Sequence, residues 1–219
     1  MALEKSLNFL AQLNQNNDRD WMQANKPAYQ EAREEFINFV GEIILKVSSF
    51  DPSISDLEPK QCIFRINRDI RFSKDKRPYK NNFGMLLNEG GKKSGTAGYY
   101  LHIQPGNQSF IAGGLYSPDA ERLAKVRQEI DYNPEELKDI ILDDSFKKEF
   151  GSIQGDSLKR SPKGYDESHP NIELLKLKNY IVLKKISDSE VKKWTSADQV
   201  VERFQQVEPV IRYLNVAIS

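Results

Sequence analysis

The sequence contains one cysteine, Cys62, so the chain can close no internal disulfide and holds no Cys-x-x-Cys pair for a metal or a redox couple. Its two histidines, His102 and His169, are far apart, and no His-x-x-x-His spacing occurs, so no metal centre is expected. A carboxylate-held Mg²⁺ sharing a phosphate ligand stays open. No apolar run approaches the roughly 20 residues that a membrane helix needs. The opening stretch MALEKSLNFLAQLNQNND has neither the basic start nor the small-residue cleavage site of a signal peptide. No membrane partner is therefore expected, and the expected location is the cytoplasm. A Walker phosphate loop and a G-x-G-x-x-G turn are both lacking, as are internal repeats and low-complexity linkers. Net charge is lacking too: 32 Lys and Arg balance 32 Asp and Glu. That balance disfavours a general nucleic-acid partner, which carries a basic excess, but it leaves room for a local patch.

What is present suffices for a folded core. Apolar residues make up 38% of the 219, with eleven Phe, and the mean hydropathy of −0.64 is that of an ordinary water-soluble chain. Leu3, Leu7, Leu10 and Leu13 recur at helical spacing and predict a helix over 3–15. Asn17 or Asp18 is placed to cap a short turn carrying Trp21. A longer helix follows over 27–47, on the stripe Phe36, Val40, Ile43, Ile44 and Val47. The period then changes to two. QCIFRIN (61–67), FGMLLN (83–88), YYLHIQ (99–104) and SFIAGGLY (109–116) read as strands. Pro105-Gly106 between the last two predicts a tight turn and an antiparallel hairpin.

Helices return at Ser117-Pro118-Asp119, read as a cap and first turn, and at Asn133-Pro134-Glu135-Glu136, where Glu136 is placed for a capping box. SFKKEFG (145–151) makes a short turn, GDSLKRSPKGYDESHPN (155–171) a long polar loop and NYIVLKKIS (179–187) a last strand. A terminal helix begins at Thr195 or Ser196, and Pro209 is expected to kink or restart it. Helices, then consecutive strands, then helices imply an α+β fold. The expectation is one domain over 1–219, an antiparallel sheet flanked by N-terminal and C-terminal helices.

Charge is concentrated in one place. From Arg65 to Lys80 the cations are Arg65, Arg68, Arg71, Lys74, Lys76, Arg77 and Lys80, against Asp69 and Asp75, which leaves +5 there and −5 on the remainder. If the strand beginning at Gln61 continues, Arg68 falls among Cys62, Phe64, Ile66, Ile70 and Phe72. A guanidinium in that position needs a carboxylate or a break in the strand. Arginine forks suit phosphate and carboxylate oxygens, so Arg65, Arg68 and Arg71 are candidates to converge on one anion. Lys74, Lys76 and Tyr79 would assist, with Asp69 and Asp75 orienting the cations. A second polar cluster, Lys159, Arg160 and Lys163, is a candidate lid over the first, and His169 beside it a candidate acid or base. His102 shares a strand face with Tyr100, and Gly113-Gly114 is either an anion nest or a tight packing point.

The run Arg65, Arg68, Asp69, Arg71, Phe72, Asp75, Lys76, Pro78 and Tyr79 spells R-x-x-R-D-x-R-F-x-x-D-K-x-P-Y. With it, the stretches 9–29, 98–106, 113–127 and 158–180 resemble a bacterial family of conserved hypothetical proteins of about this length, a domain of unknown function. Met22 departs from the aromatic expected after Trp21. The resemblance implies no activity, cofactor or site. The residues alone point to a phosphorylated or otherwise anionic small ligand, with phosphoryl or nucleotide chemistry if the protein is an enzyme. The alternative is a non-enzymatic interaction module whose Arg/Asp motif is a structural ion-pair network.

Overall fold

The computed structural model describes residues 2–219. Its four strands form one antiparallel sheet in the order β1-β2-β3-β4: β1 (Phe83–Asn88), β2 (Gly98–Ile103), β3 (Ser109–Leu115) and β4 (Tyr180–Ile186). Helices α1 (Glu4–Gln15), α2 (Arg19–Ala24), α3 (Lys26–Val47) and α4 (Pro59–Cys62) precede the sheet. Between β3 and β4 come α5 (Ala120–Tyr132), α6 (Pro134–Leu142), α7 (Asp144–Phe150) and α8 (Ile172–Leu175). The chain closes with α9 (Asp188–Val191) and α10 (Asp198–Ile218). The fold is α+β, as the order of patterns implies.

The chain gathers into two compact units. The first takes the residues up to Leu87 with Tyr100–Ile111 and Lys185–Arg203, and the second takes Asn88–Tyr99, Ala112–Lys184 and Phe204–Ser219. In the first unit aromatic contacts join the helices to the sheet within a largely aliphatic core. Phe83 of β1 stacks on Phe36 of α3 at 5.4 Å and on Phe9 of α1 at 6.4 Å, and Phe39 stacks on Trp194 at 6.2 Å. Leu3, the residue before α1, has no side chain able to cap the helix, so α3 caps it instead. The Glu35 carboxylate accepts from the Ser6 N–H at 2.8 Å, the Lys5 N–H at 3.2 Å and the Ser6 hydroxyl at 2.7 Å. Asp18 caps α2 by accepting from the Trp21 N–H, as its position suggested, and Met22 is buried where an aromatic was expected.

In the second unit Tyr99 packs on Phe204 at 5.0 Å. Gly113 and Gly114 are packing points here. A methyl at 113 would lie 2.3 Å from Val207 Cγ1, and one at 114, where φ is +121°, would lie 2.0 Å from the Tyr180 carbonyl oxygen. Two helix-end expectations are corrected, at α5 and α6. The cap of α5 is Asp119, which accepts from the Arg122 N–H. Ser117 is diverted because its own N–H donates to Asn179 at 2.6 Å in a positive-φ turn. No capping box forms at α6, since Asn133 turns back to Glu129 and Glu136 faces Arg212 at 3.6 Å. Pro209 sits inside α10 without ending it. The buried stripe Phe204, Val207, Val210, Ile211 and Leu214 continues across the proline, and packing outweighs the missing hydrogen bond.

Candidate functional site

The expected strand over 61–67 does not form. Pro59 opens a helical turn, α4, that takes in Gln61 and Cys62, and only single bridges follow it: Ile63 opposite Met85 and Asn67 opposite Tyr79. Burial follows this path. Ile63 and Ile66 are buried, while Phe64 and Arg65 are exposed. The chain leaves the sheet edge and returns as a long hairpin. The Lys80 N–H donates to the Ile66 carbonyl at 2.8 Å and the Arg68 N–H to the Pro78 carbonyl at 2.9 Å. Asn17 clamps the returning arm, accepting from the Tyr79 N–H at 3.1 Å and donating to its carbonyl at 3.0 Å, so Tyr79 is held by its backbone.

Within the hairpin, carboxylates answer specific cations. Arg68, 24% exposed, reaches Asp75 at 2.8 Å and also donates to the Arg77 carbonyl at 3.0 Å and the Ser73 hydroxyl at 3.4 Å. Arg77 grips the same Asp75 from Nε at 3.0 Å and through Nη2 at 2.7 Å. The Arg77 guanidinium and backbone, followed by Arg68, hold the Asp75 carboxyl far below its usual range. Asp69 accepts from Arg71 Nε at 2.9 Å and Nη2 at 2.6 Å, and Arg71 lowers its pKa in turn. Lys76 donates to the Ile70 carbonyl at 3.1 Å. Because both hairpin carboxylates are engaged by guanidinium groups, neither is offered as a cation ligand. Phe72 projects from the tip, 96% exposed, with Arg71 over its ring at 5.9 Å. Arg65 and Lys74 are exposed, with no hydrogen bond or ion pair among the described residues, and the charge of Arg65 acts on Asp69. Arg68 and Arg71 thus have separate internal partners.

Lys159, Arg160 and Lys163 belong to the second unit, exposed and without hydrogen bonds or ion pairs among the described residues. Their loop is tied by the Ser161 N–H donating to Glu167, which pairs with Lys176 at 2.7 Å. His169 is spoken for at both nitrogens. Its Nδ1 accepts from the Asn171 N–H at 3.1 Å, which places the proton on Nε2, and Nε2 donates to Asp131 at 3.0 Å. Both contacts order the loop that carries His169.

One group of residues was only glimpsed in the sequence. On the sheet face opposite Tyr99, Leu101 and Ile103, the first unit carries Phe64, Tyr100, His102 and Phe110. Tyr100 lies 6.1 Å from Phe64 and 5.6 Å from Phe110, and His102 stacks on Phe110 at 4.6 Å. Gly84 makes room for this arrangement, since a methyl there would lie 2.8 Å from the Tyr100 hydroxyl. His102 Nε2 meets Gln104 at 2.8 Å, and the Tyr100 hydroxyl lies 3.3 Å from Nδ1. Burial pushes the His102 pKa down, with Lys80 adding to the effect against the Gln104 hydrogen bond. Burial also raises that of Tyr100. Lys80 sits over the Phe64 ring at 5.6 Å, joining the hairpin to this face. The period of two in YYLHIQ aligned Tyr100 with His102, but Phe64 and Phe110 joined them only through strand pairing.

Fold and site together define an α+β protein with a cationic hairpin at the edge of its antiparallel sheet and an aromatic sheet face beside it. The chain belongs to the family described as conserved hypothetical protein (DUF2461), whose model matches residues 5–213. No match is found among curated proteins or among solved structures. No helix among the described residues is long and apolar enough to cross a membrane.

Proposed function

We propose that the hairpin 66–80 with Arg65 binds a phosphorylated or otherwise anionic small ligand. The observation that carries this reading is a charge excess that the hairpin does not cancel. Two aspartates face seven cations, and both are already engaged, Asp75 by two arginines and Asp69 by one. Arg65 and Lys74 are the natural first contacts, because binding them breaks no internal pair. Arg71, Lys76 and Arg77 add to the field, and Asp69 and Asp75 keep the guanidinium forks in place. Cationic groups held in this way stabilise charge that develops on a phosphoryl group, so phosphoryl or nucleotide chemistry is the reaction class to assay.

A second reading is supported by Arg68. Its three hydrogen-bond partners all lie inside the hairpin, and that part of the motif reads as an ion-pair network that shapes the loop. The two readings assign different residues to different work. Titration calorimetry with inorganic tripolyphosphate separates them. The wild-type chain is expected to bind, more weakly as salt rises, and Arg65→Ala with Lys74→Ala to lose roughly tenfold in affinity without a change in melting temperature. No binding by the wild-type chain, or equal binding by the double variant, removes the anion-site reading and leaves the network.

A further inference from the structure

We infer that the ligand of this site is a nucleoside phosphate, its base laid on the aromatic sheet face and its phosphates on the hairpin. The inference rests on the anion-site reading and specifies its ligand. Along β2, Tyr99, Leu101 and Ile103 are wholly buried, whereas Tyr100 and His102, pointing the other way, are only partly so. Phe110 continues the pattern on β3 beside the fully buried Ile111, and Phe64 is 37% exposed. A sheet face that stays partly open normally carries polar or β-branched side chains. This one carries four rings whose neighbouring centroids lie 4.6 to 6.1 Å apart, the spacing of stacked and tilted aromatic pairs.

A flat heteroaromatic ring extends such a row, and stacking of a base on aromatic side chains needs no particular base. The polar groups of this face are bonded to one another, so the rings are what a base meets. The His102 and Gln104 side chains are joined at 2.8 Å, and Gln104 also donates to Gln108. The cation over Phe64 is Lys80, the last residue of the hairpin's returning arm, so the charged element and the aromatic face meet at one ring. Positive charge adjoining a stacking surface matches a ligand with a negative chain and an aromatic head. A free nucleotide and a nucleotide within a single strand share this chemistry, and the chain's zero net charge favours the free one.

The test uses the full chain and three probes: adenosine triphosphate, inorganic tripolyphosphate and an oligoadenylate strand. Adenosine triphosphate is expected to bind about tenfold more tightly than tripolyphosphate, within what stacking on one ring contributes. Phe110→Leu is expected to abolish that difference while leaving tripolyphosphate affinity unchanged. A measurement that needs no variant accompanies it: nuclear Overhauser effects from adenine H8 and H2 to the Phe110 and Tyr100 ring protons. A strand that outcompetes the free nucleotide with the same Phe110 dependence supports the shared chemistry and names the strand as its source. Equal affinity for adenosine triphosphate and tripolyphosphate, without these Overhauser effects, overturns the inference and leaves the anion site standing. Failure of all three probes to bind overturns both.

Discussion

Replacing Arg68 by alanine separates shape from binding in the hairpin. The side chain spans the loop, joining Asp75, the Arg77 carbonyl and the Ser73 hydroxyl at 2.8, 3.0 and 3.4 Å. Hydrogen bonds from a charged donor contribute about 1.5–3 kcal/mol when buried, but this group is 24% exposed, and its partners can be rehydrated once it is gone. The Ser73 contact is long enough to count for little. The net cost of Arg68→Ala is therefore about 1–2 kcal/mol, which for a chain of this length lowers the melting temperature by roughly 2–8 °C. Arg68→Lys keeps the charge but loses the fork, since one ammonium cannot reach the aspartate and the carbonyl in the same way, and is expected to recover about half of the loss. Thermal unfolding followed by circular dichroism gives the first number. Amide exchange at Lys80 and Arg68, whose N–H groups close the hairpin arms, should rise in step with it. A melting temperature within about 1 °C of wild type, with exchange unchanged, would refute the view that Arg68 braces the loop and would return it to the ligand-binding set.

Two other outcomes bear on stability. Gly114→Ala sets a methyl group against the Tyr180 backbone at a φ of +121°, where neither backbone nor carbonyl can give way cheaply, and is expected to cost more than about 3 kcal/mol and to be seen as lost soluble expression or a sharply lower melting temperature. His102 has its pKa lowered from 6.5 by burial, so the unfolded chain takes up a proton that the folded one resists. Stability is then expected to fall as pH drops below about 6.5, and His102→Phe to flatten that part of a pH series of urea melts, whereas an unchanged slope would show that His102 is solvated.

Much of the fold was legible because its cues are local. The leucine stripe of α1, the Asp18 cap, the strands at 83–88 and 98–103 and the stop at Gly151 each depend on residues a few positions apart, and the structure places them within a residue or two of expectation. The misreadings share a cause. Cys62, Phe64 and Ile66 alternate like a strand, but Pro59 had already turned the backbone into a helical turn, and one bridge at Ile63 then met only part of the pattern. Ser117 and Glu136 have the right identities for caps. They lost those roles to Asn179 and Arg212, partners more than 60 residues away.

By itself the sequence determined that an α+β chain would carry a dense positive segment from Arg65 to Lys80, because amphipathic period and charge count are written residue by residue. Only the tertiary structure decided which of those charges are already answered. Asp75 sits between Arg68 and Arg77 because the loop folds back on itself, and Phe64 meets Tyr100 because the sheet edge brings together residues 36 positions apart. Pairing of charges and stacking of rings act over a few ångströms, and distances along the chain do not specify distances in space until the backbone has closed.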